Sequence, residues 1–187
     1  MRTVVAVDEW DAHYAAGRGF RPVTSEEEAV FGRNVGTGDG LTALDVGCGT
    51  GGFAKYLSEQ GYTVLGADYA ETAISLAISK YQQTPGLSFQ KWNAEEQQWG
   101  KLPTYDLITS RLSYAFIQDK TELLKNVRDH LAPRGIFHVM TPLADKLPPS
   151  RRGIGVTAEE VEELCHGWTE IKECTLDSQH ACYTLTL

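Results

Sequence analysis

The run Leu44-Asp45-Val46-Gly47-Cys48-Gly49-Thr50-Gly51-Gly52 constrains this chain more than any other stretch. Apolar residues from Leu41 to Val46 read as a buried strand, the glycines turn it, and a helical pattern begins near Phe53. Glycine tolerates positive φ and, having no Cβ, lets backbone come within contact distance of a ligand. The helix start behind the turn offers unpaired N–H groups. A strand, a glycine turn and a helix in that order form the unit that holds nucleotide-like ligands at the carboxyl end of a sheet. A turn that serves strand-to-helix packing alone is the plain alternative.

Gly47, Gly49 and Gly52 also satisfy G-x-G-x-x-G, so a nicotinamide or flavin dinucleotide is one reading. Asp45 weighs against it, because a carboxylate at the strand mouth repels a pyrophosphate and attracts a cation. S-adenosylmethionine carries a sulfonium and an α-ammonium group, which suits an acidic glycine loop better. The stretch Leu44 to Gly51 resembles motif I of the class I S-adenosylmethionine-dependent methyltransferases. The resemblance implies a Rossmann-like α/β fold, doubly wound and seven-stranded, mostly parallel with an antiparallel C-terminal strand. It also implies S-adenosyl-L-methionine as cofactor and S-adenosyl-L-homocysteine as product.

At 187 residues and 42% hydrophobic content the chain has the size of one domain, with residues 1–33 expected as an N-terminal helical cap. The formal charge of −8 argues against broad nucleic-acid binding. Cys48, Cys165, Cys174 and Cys182 show no metal-ligand spacing in the sequence, so reduced thiols in a cytoplasmic protein and no metal are the expectation. No apolar run reaches the length that crosses a bilayer, and no secretory leader is evident. A monomer or homodimer acting on a small molecule follows as the expected state.

Along the chain, Trp10 and Tyr14 lie one helical turn apart before the mobile Gly17-Arg18-Gly19, as a lid over a ligand or as a helix laid on the sheet. Small methyltransferases of the resembled type often begin with a W-D-x-x-Y segment over the cofactor, which implies Trp10 and Tyr14 in that role. Ser25-Glu26-Glu27-Glu28 has capping-box form and predicts a helix through about Phe31. Tyr62 to Ala67 predicts the second strand, ending at Asp68. That acid stands a little over 20 residues past the glycine motif, where an adenosyl or dinucleotide fold puts a carboxylate on the ribose hydroxyls. A helix cap is the other use of such an aspartate. Tyr69 follows it in the same turn.

Leu87 to Lys91 alternates as a strand, and Trp92-Asn93-Ala94-Glu95 follows. In the resembled family this turn holds the adenine, which implies contacts from Asn93, Ala94 and Glu95. Asn93 departs from the usual Asp while keeping a carbonyl acceptor. Trp92 stacks on the base or fills the core. Tyr105 to Ser110 resembles motif IV, with Asp106 structural at the strand start. Ser110, Arg111 and Tyr114 then stand where the family builds the wall between cofactor and substrate.

Asp119 to Glu122 caps a helix with Leu124, Val127 and Leu131 inward. Leu131-Ala132-Pro133-Arg134-Gly135 leads into an apolar strand through Met140, as in the resembled fold. Leu143 to Gly155 reads as a surface loop near the active edge, with Arg151 and Arg152 as candidate contacts for an acidic substrate. Thr157 to Glu160 caps a last helix. Two strands, from Trp168 and from Ala181, form a terminal hairpin and are therefore antiparallel.

Methyl transfer asks the protein chiefly to align and desolvate a nucleophile, so a general base is optional. His13, His138 and His180 are the candidate bases, His138 within a strand and His180 in the hairpin loop. The reading is O-, N- or S-methylation of a small metabolite. A non-catalytic cofactor-binding module and an NAD-dependent oxidoreductase are the competing classes. The first predicts binding without transfer, and the second predicts nicotinamide binding that Asp45 disfavours.

Overall fold

The computed structural model describes residues 6–19, 21–96 and 99–187, so the apolar start Met1–Val5 lies outside the described residues. Seven strands form one sheet: β1 (Thr42–Val46), β2 (Thr63–Asp68), β3 (Leu87–Lys91), β4 (Tyr105–Arg111), β5 (Leu131–Pro142), β6 (Glu170–Thr175) and β7 (His180–Thr186). Their order is β3-β2-β1-β4-β5-β7-β6. Pairs from β3 through β5 are parallel, and β7 runs antiparallel to both β5 and β6. This is the expected doubly wound sheet with a reversed C-terminal strand. Chain order reverses direction between β1 and β4, the switch point at which such sheets open a crevice.

Helices α1 (Val7–Ala15), α2 (Ser25–Asn34), α3 (Gly52–Glu59), α4 (Glu71–Tyr81), α5 (Lys120–His130) and α6 (Ala158–Cys165) cover the sheet. The central strands are apolar because both faces are covered. One core layer joins Leu44, Ile108, Phe137 and Val139 to Leu124 and Val127 of α5 and Leu164 of α6. The other joins Ala43, Val64 and Leu107 to Phe31 of α2 and Phe53 and Leu57 of α3. Each fully buried side chain of this size contributes about 1.5–3 kcal/mol of transfer free energy.

Capping chemistry sets the helix starts. Asp119 Oδ1 accepts from Glu122 N at 2.9 Å, and Thr157 with Glu160 forms a reciprocal capping box. For α2 the cap is Thr24 rather than Ser25: its Oγ1 accepts from Glu27 N at 3.3 Å, and the helix continues to Asn34. Asp106 is structural as expected, its Oδ2 accepting from Thr42 N at 2.8 Å and from Thr42 Oγ1 at 2.9 Å.

Three expectations change. Leu131 is not on α5. It is the first residue of β5, paired with Tyr105, because Pro133 bars helical continuation and Arg134 then takes φ 64°. The sixth strand starts at Glu170, not Trp168, whose indole turns inward to stack on Phe137 and donates from Nε1 to Leu164 O at 2.8 Å. The segment from Leu143 to Gly155 is folded as two short 3₁₀ turns, Ala144–Lys146 and Pro149–Ile154, pinned by buried Leu147 and a bridge from Leu143 to Val156.

Candidate functional site

Asp45 sits near the carboxyl end of β1 with 1% of its surface exposed. Thr109 on β4, its register partner, donates from Oγ1 to Asp45 Oδ1 at 2.8 Å. Among the described residues Oδ2 has no partner. Burial pushes this carboxyl up to about 7, against the opposing pull of the Thr109 hydrogen bond and the Arg111 charge.

The glycine turn then passes through left-handed backbone at Gly47 (φ 72°) and Gly49 (φ 54°). A Cβ at Gly47 would strike Ser113, and one at Gly49 would lie 2.9 Å from Tyr14 Oη. Only glycine leaves this bed open. Gly51, expected among the cofactor contacts, is a packing glycine: a Cβ there would meet the Phe89 ring at 2.6 Å.

Asp68 closes β2 and ties the two loops together. Its Oδ2 accepts from Gly49 N and its Oδ1 from Ala70 N, both at 2.9 Å. Each oxygen retains a lone pair for a further donor. Burial pushes its pKa up, and the two backbone bonds pull it down.

Gly47 and Asp68 open into a cleft of about 260 Å³ at the switch point, while Asp45 and Gly49 face a second chamber that shares Gly47 with it. The lining of the cleft includes Gly47, Asp68 and Tyr69 together with Asn93, Ala94 and Glu95. Burial, reinforced by the Asp68 charge, pushes the Tyr69 phenol up to about 12. Asn93 Oδ1 accepts from Glu95 N at 3.0 Å, which fixes the turn, and Glu95 Oε1 accepts from Gln118 N at 2.8 Å. Trp92 both lines the cleft and packs edge-on to Trp99, 4.8 Å between centroids.

Helix α1 contributes Trp10 and Tyr14 to the cleft. Trp10 meets Phe116 edge-on at 5.2 Å, and Asp11 Oδ1 accepts from Thr72 N at 2.9 Å, fastening α1 to the start of α4. Tyr14, buried beside Gly49, also borders the second chamber, of about 410 Å³, with Asp45, Cys48, Gly49, Arg21, Phe53 and Arg111. Burial, then the Asp45 and Asp68 charges, pushes the Cys48 thiol well above its ordinary value.

Arg111 is held by a partner that sequence reasoning missed. Its Nε donates to Glu27 Oε2 at 2.6 Å, and its Nη2 reaches Glu27 Oε1 and the carbonyls of Arg21 and Pro22, each at 3.1 Å. Arg21 meets the same carboxylate at 3.0 Å and Asp177 at 3.1 Å. Glu27, 4% exposed, therefore clamps the N-terminal segment to the end of β4. The capping pattern disguised it, because its backbone N serves the cap and its side chain is free for Arg111.

Other expected site residues stand apart from the cleft. Ser110 is buried behind it, 2.7 Å from Ser113 Oγ, which itself donates to Val46 O at 2.7 Å. Leu112 takes φ 60°, and this kink sends Tyr114 into the core against Phe137, where it lines neither chamber. His138 is interior, its Nδ1 at 2.9 Å from Thr184 Oγ1, burial lowers it to about 4, and it lines neither chamber. His180 is engaged at 2.9 Å by Asp177. Arg151 and Arg152 are exposed on the second 3₁₀ turn and line neither chamber. His13 packs edge-on against Trp10 and Tyr14.

Comparison with known proteins agrees with this geometry. A family model described as a methyltransferase domain matches residues 25–183. Trans-aconitate 2-methyltransferase of Deinococcus radiodurans is 33% identical over 128 residues, which cover 67% of this chain and 47% of that protein. An S-adenosylmethionine-dependent methyltransferase from Mesorhizobium loti superposes with a TM-score of 0.72 at 18% identity, over 87% of this chain and 98% of the other. A Haemonchus contortus phosphoethanolamine N-methyltransferase, solved with S-adenosylhomocysteine, gives 0.72 at 17% identity over 97% and 57%. The chain spans less than half the length of the curated relatives it matches, 47%, 40% and 20% of the first three. No helix among the described residues is long and apolar enough to cross a membrane.

Proposed function

The chain belongs to the methyltransferase domain family of class I S-adenosylmethionine-dependent enzymes, and from that premise we propose that it methylates a small metabolite. The observation that carries the donor assignment is Asp45 Oδ2, a buried carboxylate oxygen without a partner beside a glycine bed that any Cβ would fill. An ammonium group satisfies that oxygen, and a diphosphate would be repelled by it. Asp68 keeps acceptor capacity on both oxygens, which suits a vicinal diol. Trp10, Tyr14, Tyr69, Asn93, Ala94 and Glu95 would enclose the remainder of the donor. When bound, S-adenosylmethionine supplies both the electrophilic methyl group and its leaving group.

The protein's own part is to exclude water and hold the acceptor in line. The second chamber is lined by Arg21, Arg111 and Lys80 as well as by Asp45, Glu28 and Glu59, and its two guanidinium groups among Tyr14, Phe53 and Tyr56 are what a small organic acid would meet there. Glu27 and Asp177 fix the two guanidinium groups, so they are positioned before an acceptor arrives. A carboxylate is already ionised at neutral pH and asks for no general base, which accords with His138 and His180 standing away from the cleft. The Deinococcus relative, named for its action on trans-aconitate, points the same way. We therefore favour O-methylation of a carboxylate over amine or thiol acceptors.

The test is incubation with methyl-labelled S-adenosylmethionine and separate panels of small carboxylic acids, amines and thiols. Base-labile methyl esters from the acid panel are expected. Labelled product only from amines or thiols overturns the acceptor assignment, and donor binding with no product from any panel or cell extract favours a binding module.

A further inference from the structure

Three sulfur side chains stand abreast on the C-terminal half of the sheet. Met140 on β5 is the register partner of Cys182 on β7, and Cys182 is the register partner of Cys174 on β6. Directly opposed residues share a face, with Cβ atoms about 4.5–5.5 Å apart. Arg111, the register partner of Met140 on β4, extends the same row. Cys182 and Met140, 1% and 2% exposed, form one apolar cluster with Val30 of α2 and Leu112, and Cys174 packs on its rim. The row thus has a dry inner end and a half-exposed outer end at the sheet edge. Neither chamber is lined by these sulfurs, and the donor and acceptor assignments make no use of them.

Thiolate and thioether sulfurs are soft ligands that select cuprous-type ions over the hard cations preferred by carboxylates. We propose that Cys174, Cys182 and Met140 form a binding site for a soft monovalent cation such as Cu(I), with two thiolates and one thioether as donors. Two S–H bonds break, two metal–thiolate bonds form, two protons pass to solvent, and no electron is transferred. The resulting centre carries one net negative charge. Each thiol gives up its proton to bind the metal, so uptake strengthens as pH rises. Cys165, half-buried on α6, lies outside the row.

The experiment titrates the reduced full chain anaerobically against Cu(I) held as its bicinchoninate complex. One cuprous ion withdrawn per chain, with two protons released and sulfur-only coordination by X-ray absorption, is expected. Cys174→Ser and Cys182→Ser should each weaken uptake at least about tenfold, Met140→Leu should weaken it less, and Cys165→Ser should leave it unchanged. Cys174 is half-exposed, so its variant reports even if Cys182→Ser fails to fold. No withdrawal by the wild-type chain, or undiminished withdrawal by Cys174→Ser, overturns the site. So do thiols that join as a disulfide with oxidised glutathione and take up no copper. Calorimetry with S-adenosylhomocysteine on the same samples keeps the donor assignment separate from either result.

Discussion

Thr109 Oγ1 donates to one carboxylate oxygen of Asp45 at 2.8 Å and leaves the other buried and unpaired at the glycine turn. An unpaired buried acceptor costs about 1–3 kcal/mol, so the fold holds this oxygen at its own expense. Replacing the carboxylate by an amide removes the charge while keeping an acceptor for Thr109. Asp45→Asn is therefore expected to raise stability at pH 8 by on the order of 1–3 kcal/mol and to weaken donor binding. Thermal melts beside calorimetry would check both halves.

The pH dependence has a definite sign. Asp45 lies at about 7 in the folded chain and at 3.8 as its reference, so the folded state binds the extra proton between those values. Stability from this group therefore falls as pH rises from 3.8 toward 7, and its cost is complete above 7. The stability gain of Asp45→Asn should vanish near pH 4. The ammonium group of the ligand favours the ionised form, so S-adenosylhomocysteine affinity should rise about tenfold from pH 6 to pH 8 and level off above. Proton release in buffers of different ionisation enthalpy measures this directly.

Asp68 serves the fold and the cleft together. Asp68→Ala leaves the Gly49 and Ala70 N–H groups without an acceptor, and should cost about 2–4 kcal/mol of stability as well as donor affinity. Asp68→Asn keeps an acceptor for one of the two N–H groups and turns a donor toward the other, so it should recover only part of the stability and still weaken donor binding. Gly49→Val should also lose the donor, since φ 54° and Tyr14 Oη at 2.9 Å both oppose a side chain there. Denaturant melts and calorimetry on the three variants separate these effects.

Glu27 holds two guanidinium groups from 4% exposure, and Glu27→Ala would leave Arg111 buried and uncompensated. A loss of about 3–5 kcal/mol is expected. Cleavage by trypsin after Arg18 should speed up, because the segment is no longer fastened to β4. Glu27→Gln should fall between the two on both readouts.

The parts legible from sequence are those with a local cause. The glycine turn and Asp68 announce the cleft through their spacing together with the resemblance to motif I, and Thr157 with Glu160 announces α6 through capping chemistry. What escaped is long-range. The partner of Arg111 lies 84 residues away on α2, where a glutamate in the first helical turn reads as part of the cap. Tyr114 seemed to face the cleft because nothing local announces that Leu112 will take φ 60° and reverse the next side chains. The sulfur row was equally hidden, since Met140, Cys174 and Cys182 share no motif spacing and meet only through strand register.

Isothermal titration calorimetry with S-adenosylhomocysteine, run beside NAD and beside Asp45→Asn, tests the donor assignment most directly. The expected result is stoichiometric binding of S-adenosylhomocysteine to the wild-type chain, binding at least about tenfold weaker in the variant, and no heat from NAD. A folded chain that takes NAD and ignores S-adenosylhomocysteine, or that binds it equally well without the Asp45 carboxylate, would contradict the assignment.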